Sequence, residues 1–589
     1  MLVLGINEGA NSSVVVCRDG KVIFALQEER VTRQKEFCGF PEQALAFTIK
    51  HLRLKPSRVD AIAFSNLTSP GMSRAAYLRA ADAHASGFWE SLVHGRLTDA
   101  ALQAWHQVPE AWRVRIENPS EGGVNRAIDA KLVEMGFDGV KVMRYAHHAT
   151  HAATAYFGMR HDPETPHLVL TLDSGGDGLC SQVYLAEAGR MVRVAQTPAG
   201  HSVGDLYAAV THMLGMTPRE QENSVMGLAP FAAWKALNKP LKAFNSYLDL
   251  DPENPLCFKR LVPEDTGYIE PRMTHDLRRV RFDAVAGAIQ LFTEDLLVRW
   301  VLSCVKKTGV RNLVVAGGVF QNARANKLIS ELKELNFFDV LPACGDESLA
   351  FGAAWRASID LDPEVSAKIG FDDLFLGPEA GFDLKEAKAE FADRLDFEPL
   401  DKPEATIAAL LAEGKVVARC SGPMEFGGRG LGNRSLLADA ADRKAAADLD
   451  WQIERRDFWM SGAVAVPVEQ IDEYVKVPRA LPRPRVSPFM MHGFAAAGKR
   501  EELAGAVHPH DGAVLLQVVG QAINPGFHAI LEQFAAKTER SALLNGTFAL
   551  PGAPIVMGAR DAMDAMLRSN IEYLVIDKLL VTKKPADKG

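Results

Sequence analysis

Residues 168–196 read LVLTLDSGGDGLCSQVYLAEAGRMVRVAQ, and residues 2–30 read LVLGINEGANSSVVVCRDGKVIFALQEER. Both stretches follow one plan. An apolar strand runs into a Gly-containing turn, a second strand follows, a polar Gly turn reverses the chain (Asp19-Gly20 in one, Ala188-Gly189 in the other), and a third strand closes the unit. Short β-rich runs punctuated by turn residues read as meanders. Two copies of one supersecondary unit in a single chain predict two lobes built alike.

A third glycine turn lies downstream in LVVAGGVFQNARAN, residues 313–326. Leu313–Ala316 reads as a buried parallel strand, Gly317-Gly318 as the turn and Gln321 onward as a helix. Glycines there let the backbone approach a ligand, so Gly317, Gly318 and the following Asn322 are candidate nucleotide-binding residues. LPACGDESLAFGAAWRA, residues 341–357, reads as a loop in which Asp346 enters a helix of small residues. Two meanders with a Gly turn after each first strand resemble the lobes of the actin-like ATPase superfamily, where that turn grips phosphate. The expected fold class is α/β. Composition then shifts: residues 358–400 are rich in Asp, Glu, Lys and Pro and read as a linker or connecting subdomain. A second domain follows from 401 to 589. It should open with a helix (404–413), a strand (415–420) and the loop EFGGRGLGNRS, and end in a single strand, IEYLVIDKLLV. The segment ENSVMGLAP, residues 222–230, reads as a loop entering a helix.

The sharpest chemical signal is HHATHAATAYF, residues 147–157. Its alanines favour helix. His147 and His151 are four apart and share one helix face, so both can reach one ion, and imidazole suits Fe(II), Zn(II), Mn(II) or Ni(II). Paired histidines also occur as hydrogen-bonded core groups. Asp173, at the end of the strand in LTLDSGGDG, and Asp346 stand where α/β proteins place ligand-binding groups. Each alone reads as a cap or turn residue; together with the imidazoles they make a divalent-cation set. In EFGGRGLGNRSLLAD, residues 425–439, Arg429 and Arg434 bracket glycines and Asn433, and exposed backbone N–H groups plus two guanidiniums would form an anion cradle. Lys35, with Arg30 and Arg33, is a further candidate phosphate contact.

The 589 residues carry a net charge of −8 with 47% hydrophobic and 24% charged residues, and no long basic run, which argues against a nucleic-acid partner. Seven scattered cysteines without a C-x-x-C spacing fit a reducing cytoplasm. No apolar run approaches the ~18–20 residues of a membrane span, and no signal-peptide pattern opens the chain.

The ordered set LGIN, QEERVTRQK, HHATHAATAYF, LDSGGDG, NSVMGLAP, VAGGVFQNARAN, GDESLAFGAA, EFGGRGLGNRSLLAD and LNGTFALPGAPIV resembles the O-carbamoyltransferases of antibiotic and nodulation-factor biosynthesis (the NodU/CmcH type, including tobramycin carbamoyltransferase) over nearly the whole chain. The resemblance implies a TsaD-like actin-fold domain over 1–357 and a YrdC-like α/β domain over 401–589. It implies that carbamoyl phosphate and ATP with Mg2+ give carbamoyl-adenylate in the second domain. Iron, or another divalent metal, held by His147, His151, Asp173 and Asp346 would then assist carbamoyl transfer to a hydroxyl or amine of a small acceptor. A homodimer is left open. Lys35, Arg429 and Arg434 carry over as anion contacts. The sequence departs from the family at several positions. Where the family has His-Asp after the first strand, this chain has Asn7-Glu8-Gly9-Ala10-Asn11, so Glu8 becomes the candidate base. Ser224 replaces a Lys. In IERRDFWMSGAV, Glu454 and Met460 replace cations, leaving Arg455 and Arg456 as candidate substitutes; Leu515 and Pro551 stand at two further basic positions. A lost cation removes a charge-assisted contact of ~1.5–3 kcal/mol. An ATP-dependent acyl or amide-forming enzyme with another donor is therefore the second reading.

Overall fold

The computed structural model describes residues 1–67, 121–160, 162–449, 457–483 and 486–585. Trp89, Trp105 and Trp112, read above as core or pocket residues, and Arg455 and Arg456 lie outside the described residues. The described strands are β1 (Leu2–Asn7), β2 (Ser13–Arg18), β3 (Lys21–Gln27), β4 (Ala61–Phe64), β5 (Lys141–Arg144), β6 (His167–Gly176), β7 (Leu179–Glu187) and β8 (Arg190–Pro198). A short hairpin of β9 (Leu248–Leu250) and β10 (Phe258–Arg260) follows, then β11 (Asn312–Ala316) and β12 (Phe337–Val340).

Two five-stranded sheets share one topology. The first has the order β3-β2-β1-β4-β5 and the second β8-β7-β6-β11-β12. In each, the first strand of the meander pairs antiparallel with the second (β1 with β2, β6 with β7) and parallel with a later strand on its other side (β1 with β4, β6 with β11). The duplication read from the two quoted stretches is thus present in the strand order. Continuous apolar runs such as LVVA are what strands covered on both faces require, and Leu313–Ala316 are fully buried.

The chain divides into two compact units: residues 1–21, 36–325 and 344–369 form one, and residues 22–35, 326–343 and 370–589 the other. In the first unit the His147–Met159 and Leu349–Leu361 helices pack unusually close. A Cβ at Gly352 would fall 2.1 Å from the carbonyl oxygen of Thr150, and one at Gly5 would fall 1.9 Å from that of Ala350. Small residues at these points let helix backbone lie on helix and on β1. The His147–Met159 helix is buried around nearly its whole circumference, as a helix between layers must be.

In the second unit a nine-stranded sheet runs β13-β21-β20-β14-β15-β19-β16-β18-β17. Its strands are β13 (Leu395–Pro399), β14 (Val417–Cys420), β15 (Arg434–Asp439), β16 (Ala463–Pro467), β17 (Gly493–Ala495), β18 (Ala513–Val519), β19 (Leu543–Thr547), β20 (Tyr573–Ile576) and β21 (Leu579–Lys583). The Pro403–Ala412 and Pro525–Thr538 helices bury Ile407, Leu411, Phe527, Leu531 and Phe534 against Val417, Leu437 and Val575. Each such side chain contributes about 1.5–3 kcal/mol.

Two expectations change. The final segment is a hairpin rather than one strand: Asp577 adopts φ 47°, and β20 and β21 pair antiparallel on either side of it. Asp and Asn tolerate that left-handed turn. Residues 222–228 are already helical instead of forming a loop. Within 358–400, residues 384–391 form a helix and β13 pairs with β21. No helix among the described residues is long and apolar enough to cross a membrane.

Candidate metal centre

Four side chains from separate elements converge in the first unit. His147 and His151 project from one face of the Ala-rich helix. Asp173 follows Leu172 in β6, where the ladder with β7 shifts register between Leu172 and Gly176. That irregularity releases Asp173 from strand pairing and re-aims it, as bulges beside active sites do. Asp346 opens the turn before the Leu349–Leu361 helix.

One ligand atom from each of the four lies within 4.8 Å of the others. Nε2 of His151 is 3.2 Å from Oδ2 of Asp173 and 3.6 Å from Oδ1 of Asp346; Nε2 of His147 is 3.6 Å from Oδ1 of Asp346 and 3.9 Å from Oδ2 of Asp173. Donors about 2.0–2.2 Å from a shared ion stand roughly 3–3.5 Å apart, close to this spacing. The imidazoles are buried, while the carboxylate side chains keep 15% and 23% of their surface exposed, so one side of the cluster opens outward.

The electrostatics favour positive charge at the centre. Burial pulls the His151 pKa down, but the carboxylates of Asp173 and Asp346 outweigh it and hold it up to about 9. Burial pushes the Asp173 carboxyl up, but His147 and His151 outweigh it and hold it well below the usual range. Nε2 of His147 and Oδ1 of Asp346 are buried without a hydrogen-bond partner, a costly state for two polar atoms. A divalent cation satisfies all of these atoms at once, so the residues fit a metal.

Neighbouring groups fix the ligands. The second Asp of LDSGGDG, Asp177, accepts the backbone N–H of His147 at 2.8 Å and so caps the start of the helix. Asp173 accepts the N–H of Ser174 at 2.6 Å and that of Gly318 at 3.4 Å. Gly317 has φ 108°, which only glycine adopts freely, and its Cβ would meet the carbonyl of Leu172 at 2.2 Å. The Gly317-Gly318 turn therefore lies against the ligand cluster. His148 stays out of the set: its ring nitrogens are hydrogen-bonded to Thr171 and Leu179 at 3.0 Å, and burial and the adjacent imidazoles hold its pKa well below the usual value.

The other candidate residues separate. Glu8 is buried at the end of β1, 3.6 Å from Nη1 of Arg144. Asn322 is engaged inside the protein: its amide exchanges hydrogen bonds with Gln290 at 3.0 and 3.1 Å, and its Oδ1 accepts the N–H of Ala325. In the second unit, Lys35 sits in the turn after the Glu28–Thr32 helix. Arg429 donates to the carbonyl of Met490. Arg434 is not presented to an anion. It is fully buried, and its guanidinium nitrogens donate to the carbonyls of Met557, Ser421, Gly422, Asn433 and Pro378 at 3.1–3.3 Å.

The Gly-rich loop is already occupied by one of its own carboxylates. Oε1 of Glu425 accepts the backbone N–H groups of Leu431, Asn433 and Arg434 at 2.5, 3.2 and 3.0 Å. Gln27 and Arg30 hold the same loop from the side: Gln27 accepts the N–H of Gly427 at 3.1 Å, and Arg30 donates to the carbonyl of Gly427. Glu425 carries no signal in sequence, because one acid before a run of glycines looks like any loop entry.

Residues 3–355 match the description Carbamoyltransferase N-terminus, and residues 408–583 match Carbamoyltransferase C-terminus. The chain belongs to the carbamoyltransferase family. This carbamoyltransferase is similar to an uncharacterized protein of Methanocaldococcus jannaschii, 26% identical over 598 residues that cover 99% of this chain and 100% of that protein. It is similar to nodulation protein NolNO of Sinorhizobium fredii, 25% identical over 594 residues covering 98% of this chain and 79% of that one. It is also similar to a 3'-hydroxymethylcephem-O-carbamoyltransferase of Amycolatopsis lactamdurans, 28% identical over 313 residues, 52% of this chain and 56% of that one. These relatives place it with the O-carbamoyltransferases of the NodU/CmcH type, and hence among transferase enzymes. Solved chains align over part of it, among them component A of the Acidaminococcus fermentans (R)-2-hydroxyglutaryl-CoA dehydratase (TM-score 0.33, 15% identity, 61% of this chain and 98% of that one). T. kodakarensis HypF aligns with a TM-score of 0.32 at 13% identity, over 61% of this chain and 48% of that one.

Proposed function

We propose that the enzyme moves a carbamoyl group from carbamoyl phosphate, through carbamoyl-adenylate made with ATP and Mg2+, to a hydroxyl of a small metabolite. In this reading residues 1–357 form an actin-like, TsaD-like domain, 358–400 a connecting segment, and 401–589 a YrdC-like domain. The observation that carries it is the four-ligand cluster beside the Gly317-Gly318 turn, in a chain of the carbamoyltransferase family. Iron or another divalent ion held by His147, His151, Asp173 and Asp346 would supply Lewis-acid stabilisation of charge on the transferred group or its leaving phosphate.

The chain's own residues divide the remaining work. The two imidazoles are fixed on a buried helix, so the ligand cluster is preformed. The Gly317-Gly318 turn lies beside the cluster, where glycine lets a phosphate approach the backbone; the Gly318 N–H itself is given to Asp173. Glu8 is the candidate base for the acceptor hydroxyl, with Nη1 of Arg144 3.6 Å from its carboxylate. Lys35 and Arg429 are the described candidates for gripping the donor's phosphate.

A second reading, ATP-dependent acyl transfer from a different donor, is favoured by one observation. Several donor cations of the family are replaced in this chain, and Arg434, which remains, spends its guanidinium on backbone carbonyls. ATP–pyrophosphate exchange separates the two. Exchange that requires carbamoyl phosphate supports the first; exchange triggered only by another carboxylate donor supports the second and removes the first.

A further inference from the structure

We propose that Asn66 is a positioning residue for the metal centre: a one-way hydrogen-bond chain, Asn7–Ser65–Asn66, fixes the tautomer of His147 and leaves its Nε2 lone pair facing the ligand cluster. The inference rests on the proposed metal role of the four ligands and adds the device that sets one of them.

The direction of the chain follows from what each group can donate. Both hydrogens of the Asn7 amide are taken by carbonyls, of Ala10 at 2.8 Å and Asp346 at 2.9 Å. A carbonyl only accepts, so the orientation of the Asn7 amide is set. Its Oδ1 then receives the N–H of Gly9 at 3.2 Å and the hydroxyl of Ser65 at 3.0 Å. The single proton of Ser65 is now committed, so its oxygen can only accept, and Nδ2 of Asn66 donates to it at 3.2 Å. That leaves Oδ1 of Asn66 facing Nδ1 of His147 at 3.0 Å. An amide oxygen cannot donate, so Nδ1 must carry a ring proton, and the neutral ring that a metal requires presents its lone pair on Nε2.

Nε2 is the atom 3.6 Å from Asp346 and 3.9 Å from Asp173. Asn7, Ser65 and Asn66 are all at most 4% exposed, so water does not compete for these bonds. A partner on the far nitrogen of a ligating histidine fixes ring and tautomer. The same Asn7 amide grips the backbone of Asp346, so a single side chain restrains ligands on two elements. His151 differs: its Nδ1 has no partner, so the relay acts on His147.

The test is titration of Co(II) into metal-free full-length protein, read by its visible spectrum and by calorimetry, with thermal melting of the metal-free variants alongside. Asn66→Ala and Ser65→Ala should each weaken Co(II) binding about 10–100-fold. Asn66→Asp keeps an acceptor at Nδ1 but cannot donate to Ser65, and it should bind at least as tightly as wild type. A purely structural amide would lower the melting temperature in all three variants, and Asp would not rescue it. Wild-type Co(II) affinity in Asn66→Ala, or failure of Asn66→Asp to restore it, overturns the relay. If Asn66→Ala does not fold, Ser65→Ala and Asn66→Asp carry the comparison. If wild type takes up no divalent ion, the metal reading itself falls, a result distinct from either.

Discussion

Nε2 of His151 lies 3.2 Å from Oδ2 of Asp173, although one residue sits in a helix and the other at the irregular end of a strand. The contact joins the helix to the second meander at the point where that strand leaves its ladder. It makes His151 the ligand most tightly held by the carboxylates. His151→Ala should lower divalent-metal affinity by more than about 100-fold and abolish carbamoyl transfer. ATP–pyrophosphate exchange should persist. Metal content of the purified variant and the two assays check this; stoichiometric metal with normal turnover would remove His151 from the ligand set.

Arg434 and Arg429 should behave differently. Arg434→Met strands five buried carbonyl contacts, and hydrogen bonds to a charged group are worth about 1.5–3 kcal/mol each before relaxation. The variant should lose several kcal/mol in chemical denaturation. Arg429→Met loses the bond to the Met490 carbonyl, so it should lower the denaturation midpoint far less than Arg434→Met and should require more anionic donor. An unchanged donor dependence for Arg429→Met takes that residue off the donor site.

Gly352→Val places a side chain where the Thr150 carbonyl already stands. Overpacking of this kind costs about 1–3 kcal/mol or more. Because the helix it pushes carries both imidazoles, metal affinity should fall together with the melting temperature. A variant that melts early but binds metal normally would show that the helix yields without moving its ligands.

Acid stability should depend on His492. Neither ring nitrogen has a hydrogen-bond partner, Phe338 meets the ring edge-on at 5.5 Å, and burial lowers its pKa to about 3. The unfolded chain, with an ordinary pKa near 6.5, takes the proton first. Stability from this group is therefore complete above about pH 6.5 and is lost as pH falls toward 3, at about 1.4 kcal/mol per pH unit. Between pH 6.5 and 4.5 the loss is about 2–3 kcal/mol, and His492→Leu should remove that slope. Denaturation midpoints at the two pH values decide it.

The duplicated meanders and the shared face of His147 and His151 were legible because period, turn residues and helical spacing are local properties; Asp173 and Asp346 were added from their loop positions and the family resemblance, and the fold brings one ligand atom of each of the four within 4.8 Å of the others. The end of the chain misled, since IEYLVIDKLLV is apolar throughout and only Asp577, a residue with many other uses, marks the reversal. Arg434 misled for a related reason. Arginine beside glycines is the pattern of an anion site, and nothing local reveals that the carbonyls of Pro378 and Met557, 56 and 123 residues away, join three nearer ones in claiming the guanidinium. Asn66 and Glu425 were invisible because their partners are 81 residues away in one case and backbone amides in the other.

The Glu425 carboxylate gives the Gly-rich loop a built-in template. The amides of Leu431, Asn433 and Arg434 are ordered by the protein's own carboxylate, so the conformational entropy of the loop is given up on folding and not at a later step. A loop with that many glycines would otherwise be the softest part of the domain; wrapped around its own acid, it behaves as a rigid die.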